Sequence, residues 1–281
     1  MYLLLPCAVV NNVFLYCLAF AVKRHGMRIH SVAQEGDHYH IVLTDTYGVL
    51  PLFMADLNRS IAKVLNCHYG RWESFWAPGS YDRKVCATPE DSLDRMVYTM
   101  SNPTSSGLVE KVALWPGLVT LPEHFDGRVF RAKRPDFFFD PEGEMPEEVE
   151  LVIEPPPGCE DWDRAAFIEY MRERVAQREA EAYEKFGGKF VGVERILATR
   201  PFDRPKTREP RRNVSYGIAA KCRWTRIEAV HRLKNFERDH AEARKRWVAG
   251  EPDVVFPAGT WWMKHFSPAQ VERPPPAPLF N

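Results

Sequence analysis

Glycines break the first fifty residues into segments with clearly different hydrophobic patterns. Gly26 ends an apolar run over residues 13–25 that has the spacing of a helix and the glycine that commonly follows one. Gly36 lies in a tight-turn sequence between residues 27–33 and residues 38–45, both of which have the pattern of strands. A helix is therefore predicted to be followed by two strands that pair as a hairpin.

The same reasoning extends through the first hundred residues. A short strand is predicted over residues 2–5, a helix over 52–68 and a further strand over 81–86. Residues 88–91, Thr-Pro-Glu-Asp, have the cap, the first-turn proline and the acids of a helix start, and Pro103 forces that helix to end. This order predicts an α+β fold, an antiparallel sheet with helices on one face, in the ferredoxin-like or RNA-recognition-motif style.

Composition does not decide what the chain binds. A length of 281 residues suffices for one large domain or two ordinary ones, and 45% hydrophobic with 27% charged residues is typical of a soluble globular protein. The formal net charge is zero, but acid is concentrated over residues 142–163 and base over 128–134 and 200–212. Because local fields govern association with phosphate, a nucleic-acid partner is not excluded.

The cysteines and the apolar N-terminus bear on the compartment. Six scattered cysteines without a Cys-x-x-Cys pair indicate reduced thiols in a cytoplasmic protein, with three disulfides as the alternative. Residues 1–22 are apolar enough to suggest a signal peptide or membrane anchor. However, no basic residue precedes them, Pro6 interrupts them, and Asn12 lies in the middle as the predicted N-cap of the first helix. No membrane role is expected.

His38 and His40 are the first residues that point to chemistry. Strand side chains alternate, so both imidazoles project from one face, about 7 Å apart along the chain, while Tyr39 points to the other. Neutral imidazole is a common ligand of divalent metals, so the pair supplies two ligands if a third group reaches them. The alternative is two surface histidines on a half-exposed strand.

Tyr98 and Asn102 form a second pair on the helix that begins after Thr88. Residues four apart share a helix face, so the amide oxygen of Asn102 is a reasonable third ligand for a hard cation, with the Tyr98 phenol one turn away. Taken singly, a helical tyrosine is usually a core or boundary residue, and an asparagine before Pro103 is usually a helix end.

Four sequence elements combine these residues in a recognisable order. They are His38-Tyr39-His40 followed by Ile-Val-Leu-Thr-Asp, the run Asp56-Leu-Asn-Arg-Ser-Ile-Ala-Lys, the run Arg71-Trp72-Glu73-Ser74-Phe75-Trp76, and Val97-Tyr98-Thr99-Met100-Ser101-Asn102-Pro103 with Gly107-Leu108-Val109 after it. Over about residues 1–120 the chain resembles the single-tyrosine HUH transposases, and more narrowly their REP-associated tyrosine transposase branch. It departs from that branch at Asp37, at residues 104–106 and in its short first strand.

The resemblance implies a strand-transfer enzyme. His38, His40 and Asn102 would hold Mg²⁺ or Mn²⁺ against a scissile phosphate of single-stranded DNA. Tyr98 would attack the phosphorus and become joined to the 5′ side, and the phosphotyrosine bond would allow rejoining without ATP. The family implies single-stranded or hairpin DNA as the partner. The alternative is a relative that keeps the fold and binds nucleic acid without cutting it.

Four residues in the same region are candidate DNA contacts. Arg59 and Lys63 share the helix over 52–68, Arg71 would contact a phosphate, and Trp72 would stack on a base. The alternative is a solvated helix face and a buried tryptophan.

Residues 121–281 are predicted to be an accessory region that is largely helical and ends in a proline-rich tail. Helices are expected over 163–186 and 223–249, either packed together or joining two subunits of a homodimer. Between them lies a basic arm, which is either a contact for a DNA backbone or a solvated linker. Its residues are Arg204, Lys206, Arg208, Arg211 and Arg212.

Overall fold

The computed structural model describes residues 1–77, 81–203 and 217–273. The predicted basic arm and most of the proline-rich tail lie outside the described residues. In chain order, the elements are α1 (Ala8–His25), β1 (Met27–Gln34), β2 (Tyr39–Asp45), α2 (Leu50–Tyr69), β3 (Val85–Cys86), α3 (Pro89–Met100), α4 (Asn102–Ser105), β4 (Val129–Lys133), β5 (Glu148–Val152), α5 (Arg164–Phe186), α6 (Val193–Ala198), β6 (Ile218–Ala219), α7 (Arg223–Val248), β7 (Val255–Phe256), α8 (Trp261–Phe266) and β8 (Gln270–Val271).

The chain forms two compact units. The larger consists of residues 1–81 and 92–212, and the smaller of residues 82–91 and 213–281. Helices mixed with small sheets confirm the predicted α+β class. Strands β4 and β5 and helix α5 belong to the same unit as the first hairpin, and a boundary near residue 120 stays a prediction.

Helix α1 forms the centre of the larger unit. Its middle is buried on nearly every side, since it contacts α2, β1, β4 and β5. Gly26 ends it in the left-handed conformation, as predicted, but the predicted cap at Asn12 is wrong. The helix begins at Ala8, with the Cys7 thiol as cap. The Asn12 side chain instead donates to the Lys133 carbonyl and accepts from its N–H, which ties α1 to β4.

No helix of the described residues combines the length and the apolar character that crossing a bilayer requires.

Strands β1 and β2 form the predicted antiparallel hairpin. Ala33 lies opposite His40 and Gln34 opposite Tyr39, and the register shifts once between Ile29 and Ser31. The Asp45 carboxylate at the end of β2 accepts hydrogen bonds from the first backbone N–H groups of α2, which fixes the start of that helix.

The larger sheet that the sequence predicts is not found among the described residues. Residues 2–5 form a turn rather than a strand, and the Leu4 N–H donates to the Gly36 carbonyl in the hairpin turn. Of the predicted strand over 81–86, only β3 forms, and it pairs with β6 in the smaller unit. Single bridges at Val119 and Ile153 extend the hairpin on its β1 side.

Helices α1 and α2 cover one face of the hairpin. On that face the Tyr39 ring contacts Phe14 of α1 and Trp76, and its hydroxyl donates to Asn58 Oδ1 of α2 at 2.6 Å. Burial raises the pKa of Tyr39 above its usual range, so the phenol stays neutral. Since strand side chains alternate, His38 and His40 project from the other face, as predicted.

Strands β4 and β5 form a second antiparallel hairpin in the region that was predicted to be largely helical. Helix α5 begins and ends where predicted: the Asp163 carboxylate accepts from the Ala166 N–H, and Gly187 follows the helix in the left-handed conformation. Arg174 of α5 forms an ion pair with Asp94 of α3, which anchors the helix that carries Tyr98.

The smaller unit is organised around α7, which the sequence predicted over 223–249. Its core is small and consists of Ala243, Val254, Phe256 and Met263.

The predicted cap of α3 is confirmed, because Thr88 Oγ1 accepts from the Asp91 N–H at 3.1 Å.

Candidate functional site

The turn between β1 and β2 brings the two histidine side chains together. The Glu35 N–H donates to the His38 carbonyl at 2.9 Å, which closes the turn one residue before β2 begins at Tyr39. The imidazole planes are nearly perpendicular, with ring centroids 4.9 Å apart. The Nε2 atoms of His38 and His40 are 3.1 Å apart, so the side chains converge on one point above the sheet face.

Asp37 orients the first ring of the pair. Its Oδ1 lies 2.7 Å from His38 Nδ1, and this hydrogen bond lowers the pKa of the Asp37 carboxyl. A neutral imidazole that donates from Nδ1 carries a lone pair on Nε2, which is the tautomer that a metal ligand needs. Asp37 therefore favours the His38 tautomer that leaves the Nε2 lone pair available.

His40 is held in its neutral form. Burial, and secondly the neighbouring His38, lower its pKa to about 4. Without an ion, Nε2–H of His40 can donate to the Nε2 lone pair of His38. If the His40 proton moves to Nδ1, both Nε2 lone pairs become available to a shared cation.

The spacing of the two nitrogens suits an octahedral ion. Bonds of about 2.1 Å at about 90° place neighbouring ligand atoms about 3.0 Å apart. The observed 3.1 Å between His38 Nε2 and His40 Nε2 matches this requirement without any movement of the backbone.

Tyr98 lies beside the histidine pair. Its ring centroid is 5.6 Å from that of His40, in an edge-to-face arrangement, and 42% of the residue is exposed. The Arg95 guanidinium lies 5.8 Å from the Tyr98 ring centroid. Sequence analysis missed Arg95, although its position one turn before Tyr98 on α3 was a usable signal.

Asn102 occupies a different environment from Tyr98, although the two are four residues apart. The prediction that one helix carries both is wrong, since α3 ends at Met100 and Asn102 begins the short helix α4. Pro103 has no N–H with which to continue the hydrogen bonds of α3, and the Ser101 hydroxyl donates to the Val97 carbonyl at the junction. Asn102 is buried, and its Oδ1 accepts a hydrogen bond from Ser106 Oγ at 3.1 Å.

Histidine and acidic side chains do not by themselves supply enough ligands for a metal at this site. Within the described part of the chain, no three side chains of histidine, cysteine, aspartate or glutamate are grouped closely enough to hold an ion. A third ligand must be another kind of oxygen, such as the amide of Asn102 or water. Since a carbonyl oxygen has two lone pairs, the bond from Ser106 leaves Asn102 with one lone pair for a cation. Its role as a ligand remains a prediction.

Glu35 is a second residue that sequence analysis missed. It faces His38 across the turn, it is 2% exposed, and its Oε1 has no hydrogen-bond partner among the residues that the structure describes. Burial raises its pKa to about 7, against an opposing effect of His38. A buried carboxyl that holds its proton near neutrality thus adjoins the candidate site. The position of Glu35 in the hairpin turn could be predicted from the sequence, but its burial could not.

The four candidate DNA contacts differ in accessibility. Trp72 is 98% exposed, so the alternative of a buried tryptophan is wrong for this residue. The Arg71 side chain is only 10% exposed, and its guanidinium contacts the Met1 sulfur. Arg59 and Lys63 are exposed on α2. Because α2 packs on the Tyr39 face, these two cations and the histidine pair lie on opposite sides of the hairpin.

Comparison with known proteins identifies no relative of this chain. No protein-family model matches the chain, and no curated protein or solved structure is detectably similar to it. The resemblance to single-tyrosine transposases therefore remains a prediction, and function has to be inferred from the geometry of the site.

Proposed function

We propose that this protein is a metal-dependent enzyme that cleaves and rejoins single-stranded DNA through a covalent bond to Tyr98. The observation that carries the proposal is the meeting of His38, His40 and Tyr98, which come from a hairpin and from a separate helix. A partly exposed phenol can serve as the nucleophile of phosphoryl transfer, and two converging imidazoles beside it can hold the metal ion that assists it.

Each residue has a distinct task in this mechanism. The Tyr98 phenol loses its proton and its oxygen bonds to phosphorus, while the bond from phosphorus to the 3′ oxygen breaks and that oxygen takes up a proton. Arg95, whose guanidinium lies 5.8 Å from the Tyr98 ring centroid, attracts the DNA phosphate. Attack by another 3′-hydroxyl on the phosphotyrosine reverses these steps and restores the free phenol.

Mg²⁺ or Mn²⁺ bound at the site would polarise the scissile phosphate and offset the charge that builds on it. His38 and His40 would hold the ion through Nε2, with Asp37 fixing the His38 tautomer and Asn102 as the proposed oxygen ligand. The hairpin with α1, α2 and α3 would then be a reduced counterpart of the ferredoxin-like HUH fold.

A second candidate function is binding without cleavage. It is favoured by the burial of Asn102 and by the hydrogen bond that its oxygen already accepts. A domesticated relative of this kind would lack a complete metal site. It would bind structured nucleic acid through the exposed Trp72 and the cations of α2.

Trapping a covalent adduct distinguishes the two functions. The protein is incubated with Mg²⁺ and a labelled single-stranded hairpin DNA, and the products are separated on a denaturing gel. The enzyme hypothesis expects a labelled adduct that Tyr98→Phe abolishes while gel retardation of the DNA persists. Tyr183→Phe is the matched control, because Tyr183 is a helical tyrosine of similar exposure, 51%, outside the cluster. Retardation without an adduct from the wild-type protein supports the binding module.

The proposed activity belongs to a reducing compartment, and we place the protein in the cytoplasm. The six cysteines all lie in the described residues and form no disulfide, which supports this placement. A homodimer, which the sequence suggested, stays a prediction.

A further inference from the structure

A pocket lies between α1 and α2, on the side of the hairpin opposite the histidine pair. It has a volume of about 280 Å³, and the loop that carries Phe138 and Phe139 closes one side of it. Small-molecule sites have volumes of about 300–1,000 Å³, so this pocket has room for one nucleoside-sized group rather than a folded strand.

The polar wall of the pocket is predominantly basic. Arg24, Arg59 and Lys63 contribute three positive charges against the single carboxylate of Asp56. Asp56 Oδ2 lies 3.5 Å from the Arg24 guanidinium and Oδ1 lies 3.4 Å from that of Arg59. The same carboxylate is 2.8 Å from His25 Nε2. Asp56 thus holds the guanidinium groups of Arg24 and Arg59 close together, but its single charge does not neutralise the pocket. Both guanidinium groups are mostly exposed and retain N–H donors for an anion.

The opposite wall is aromatic. Phe138 and Phe139 are in edge-to-face contact, with ring centroids 4.9 Å apart, and Phe139 also contacts Tyr16 of the core. Phe138 remains exposed although it is large and apolar. An exposed phenyl ring that faces a group of cations suits a ligand with a flat apolar part and an anionic part.

We propose that this pocket binds a nucleotide, with its base against Phe138 and its phosphate on Arg24, Arg59 and Lys63. A bare inorganic anion would leave the aromatic wall unused, and an uncharged apolar ligand would leave the cations without a partner. The inference rests in part on the proposed function, because Arg59 and Lys63 are also its DNA contacts. The nucleotide belongs either to a DNA strand that passes the back of the hairpin or to the free pool.

The test measures binding of four probes to the full-length protein by calorimetry. The probes are thymidine 5′-monophosphate, thymidine, inorganic phosphate and a twelve-residue oligothymidylate. The variants are Phe138→Ala, which removes the aromatic wall, and Arg59→Gln, which removes one cation. Arg178→Gln is the matched control, because Arg178 forms a similar exposed ion pair with Glu181, three residues away on α5. Thermal melting confirms that each variant is folded.

We expect the wild-type protein to bind the monophosphate or the oligonucleotide more tightly than it binds thymidine or phosphate alone. Phe138→Ala should weaken this binding by about five- to 150-fold, the range for loss of one stacked base. Arg59→Gln should weaken it by about tenfold or more, and Arg178→Gln should leave it unchanged. Similar affinities for the monophosphate and the oligonucleotide identify a free-nucleotide site. If the two substitutions weaken the binding of the oligonucleotide alone, the pocket is a site for a DNA strand.

Three results overturn the proposal. In the first, no nucleotide probe binds, and in the second, folded Phe138→Ala and Arg59→Gln bind as tightly as the wild type. Equal binding of phosphate and monophosphate also overturns it, because the base then contributes nothing. Adduct formation at Tyr98 is measured on the same preparations, so failure of the pocket and failure of the strand-transfer chemistry are separate outcomes.

Discussion

At the residue scale, Asp37 is the side chain whose effect on the candidate metal site is most direct. Its hydrogen bond to His38 Nδ1 fixes the tautomer in which Nε2 can coordinate. We expect Asp37→Asn to weaken Mn²⁺ binding by about 10- to 100-fold, as is typical when the partner of a metal-bound histidine is lost. Titration of free Mn²⁺ by electron paramagnetic resonance measures this directly. Asp136→Asn, an exposed aspartate outside the site, should behave as wild type, and equal affinity in both variants would contradict the role of Asp37.

Glu35 makes a prediction about stability and pH. Burial raises its pKa to about 7 in the folded state, so folding favours the protonated carboxyl. The resulting stability is fully present below the unfolded pKa of about 4.5 and is lost as the pH rises through about 7, by roughly 3 kcal/mol in all. The lowered pKa of His40 makes stability rise over the same pH range, so the contribution of Glu35 is measured as a difference between the wild type and Glu35→Gln. Urea denaturation of both proteins at pH 4.5, 6 and 7.5, with a chelator present, gives this difference.

Glu35→Gln should remove the loss of stability that Glu35 causes, because the amide is uncharged at every pH. Its stability relative to the wild type should therefore improve as the pH rises. A constant difference between the two proteins over this range would show that Glu35 ionises as freely in the folded state as in the unfolded chain.

The sequence predicted part of this residue-scale picture and missed part of it. Strand alternation was enough to place His38 and His40 on one face and Tyr39 on the other. Glu35 and Arg95 were missed because their significance depends on tertiary packing: the burial of one and the proximity of the other to the Tyr98 ring. Trp72 shows the same limit, since nothing local distinguishes an exposed tryptophan from a buried one.

At the element scale, capping interactions explain which helix ends were predictable. Asp163 and Gly187 bound α5 with the residue types that suit those positions, and both ends were predicted. The start of α1 was missed because the Cys7 thiol is a weak cap, and the better capping residue, Asn12, serves a tertiary contact. The hairpin of β4 and β5 was missed because its charged residues indicate strands only when the two segments are known to pair. Arg131 of β4 and Glu150 of β5, for example, form an ion pair across the hairpin.

The cap of α5 gives a quantitative prediction. Asp163→Ala removes the acceptor of the Ala166 N–H and should lower the free energy of unfolding by about 1 kcal/mol. Urea denaturation followed by circular dichroism measures the loss. Asp161→Ala, two residues earlier and outside the helix, should change the stability by less than about 0.5 kcal/mol. Equal effects of the two substitutions would mean that charge rather than capping is responsible.

At the scale of the whole molecule, the sheet shows where local pattern stops being informative. The segments over 2–5 and 81–86 have the composition of strands, yet neither joins the hairpin. The first is taken up by a turn whose backbone bonds to Gly36, and most of the second is irregular. Pairing between distant strands depends on the packing of the whole chain, which local patterns do not encode. The α+β class was therefore predictable, whereas the strand order was not.

Charge distribution gives the last prediction, because a net charge of zero conceals local basic surfaces. If Arg59 and Lys63 neutralise DNA phosphates, binding of single-stranded DNA should weaken linearly in a plot of log K against log salt concentration. Each contact contributes a slope of about −0.7 for a single strand, so the double variant Arg59→Gln, Lys63→Gln should reduce the slope by about 1.4. Fluorescence anisotropy between 50 and 300 mM salt provides the measurement, with Arg178→Gln as the control of unchanged slope. A double variant that binds more weakly with the wild-type slope would mean that these residues act through packing, and phosphate contacts would then have to be sought elsewhere on the surface.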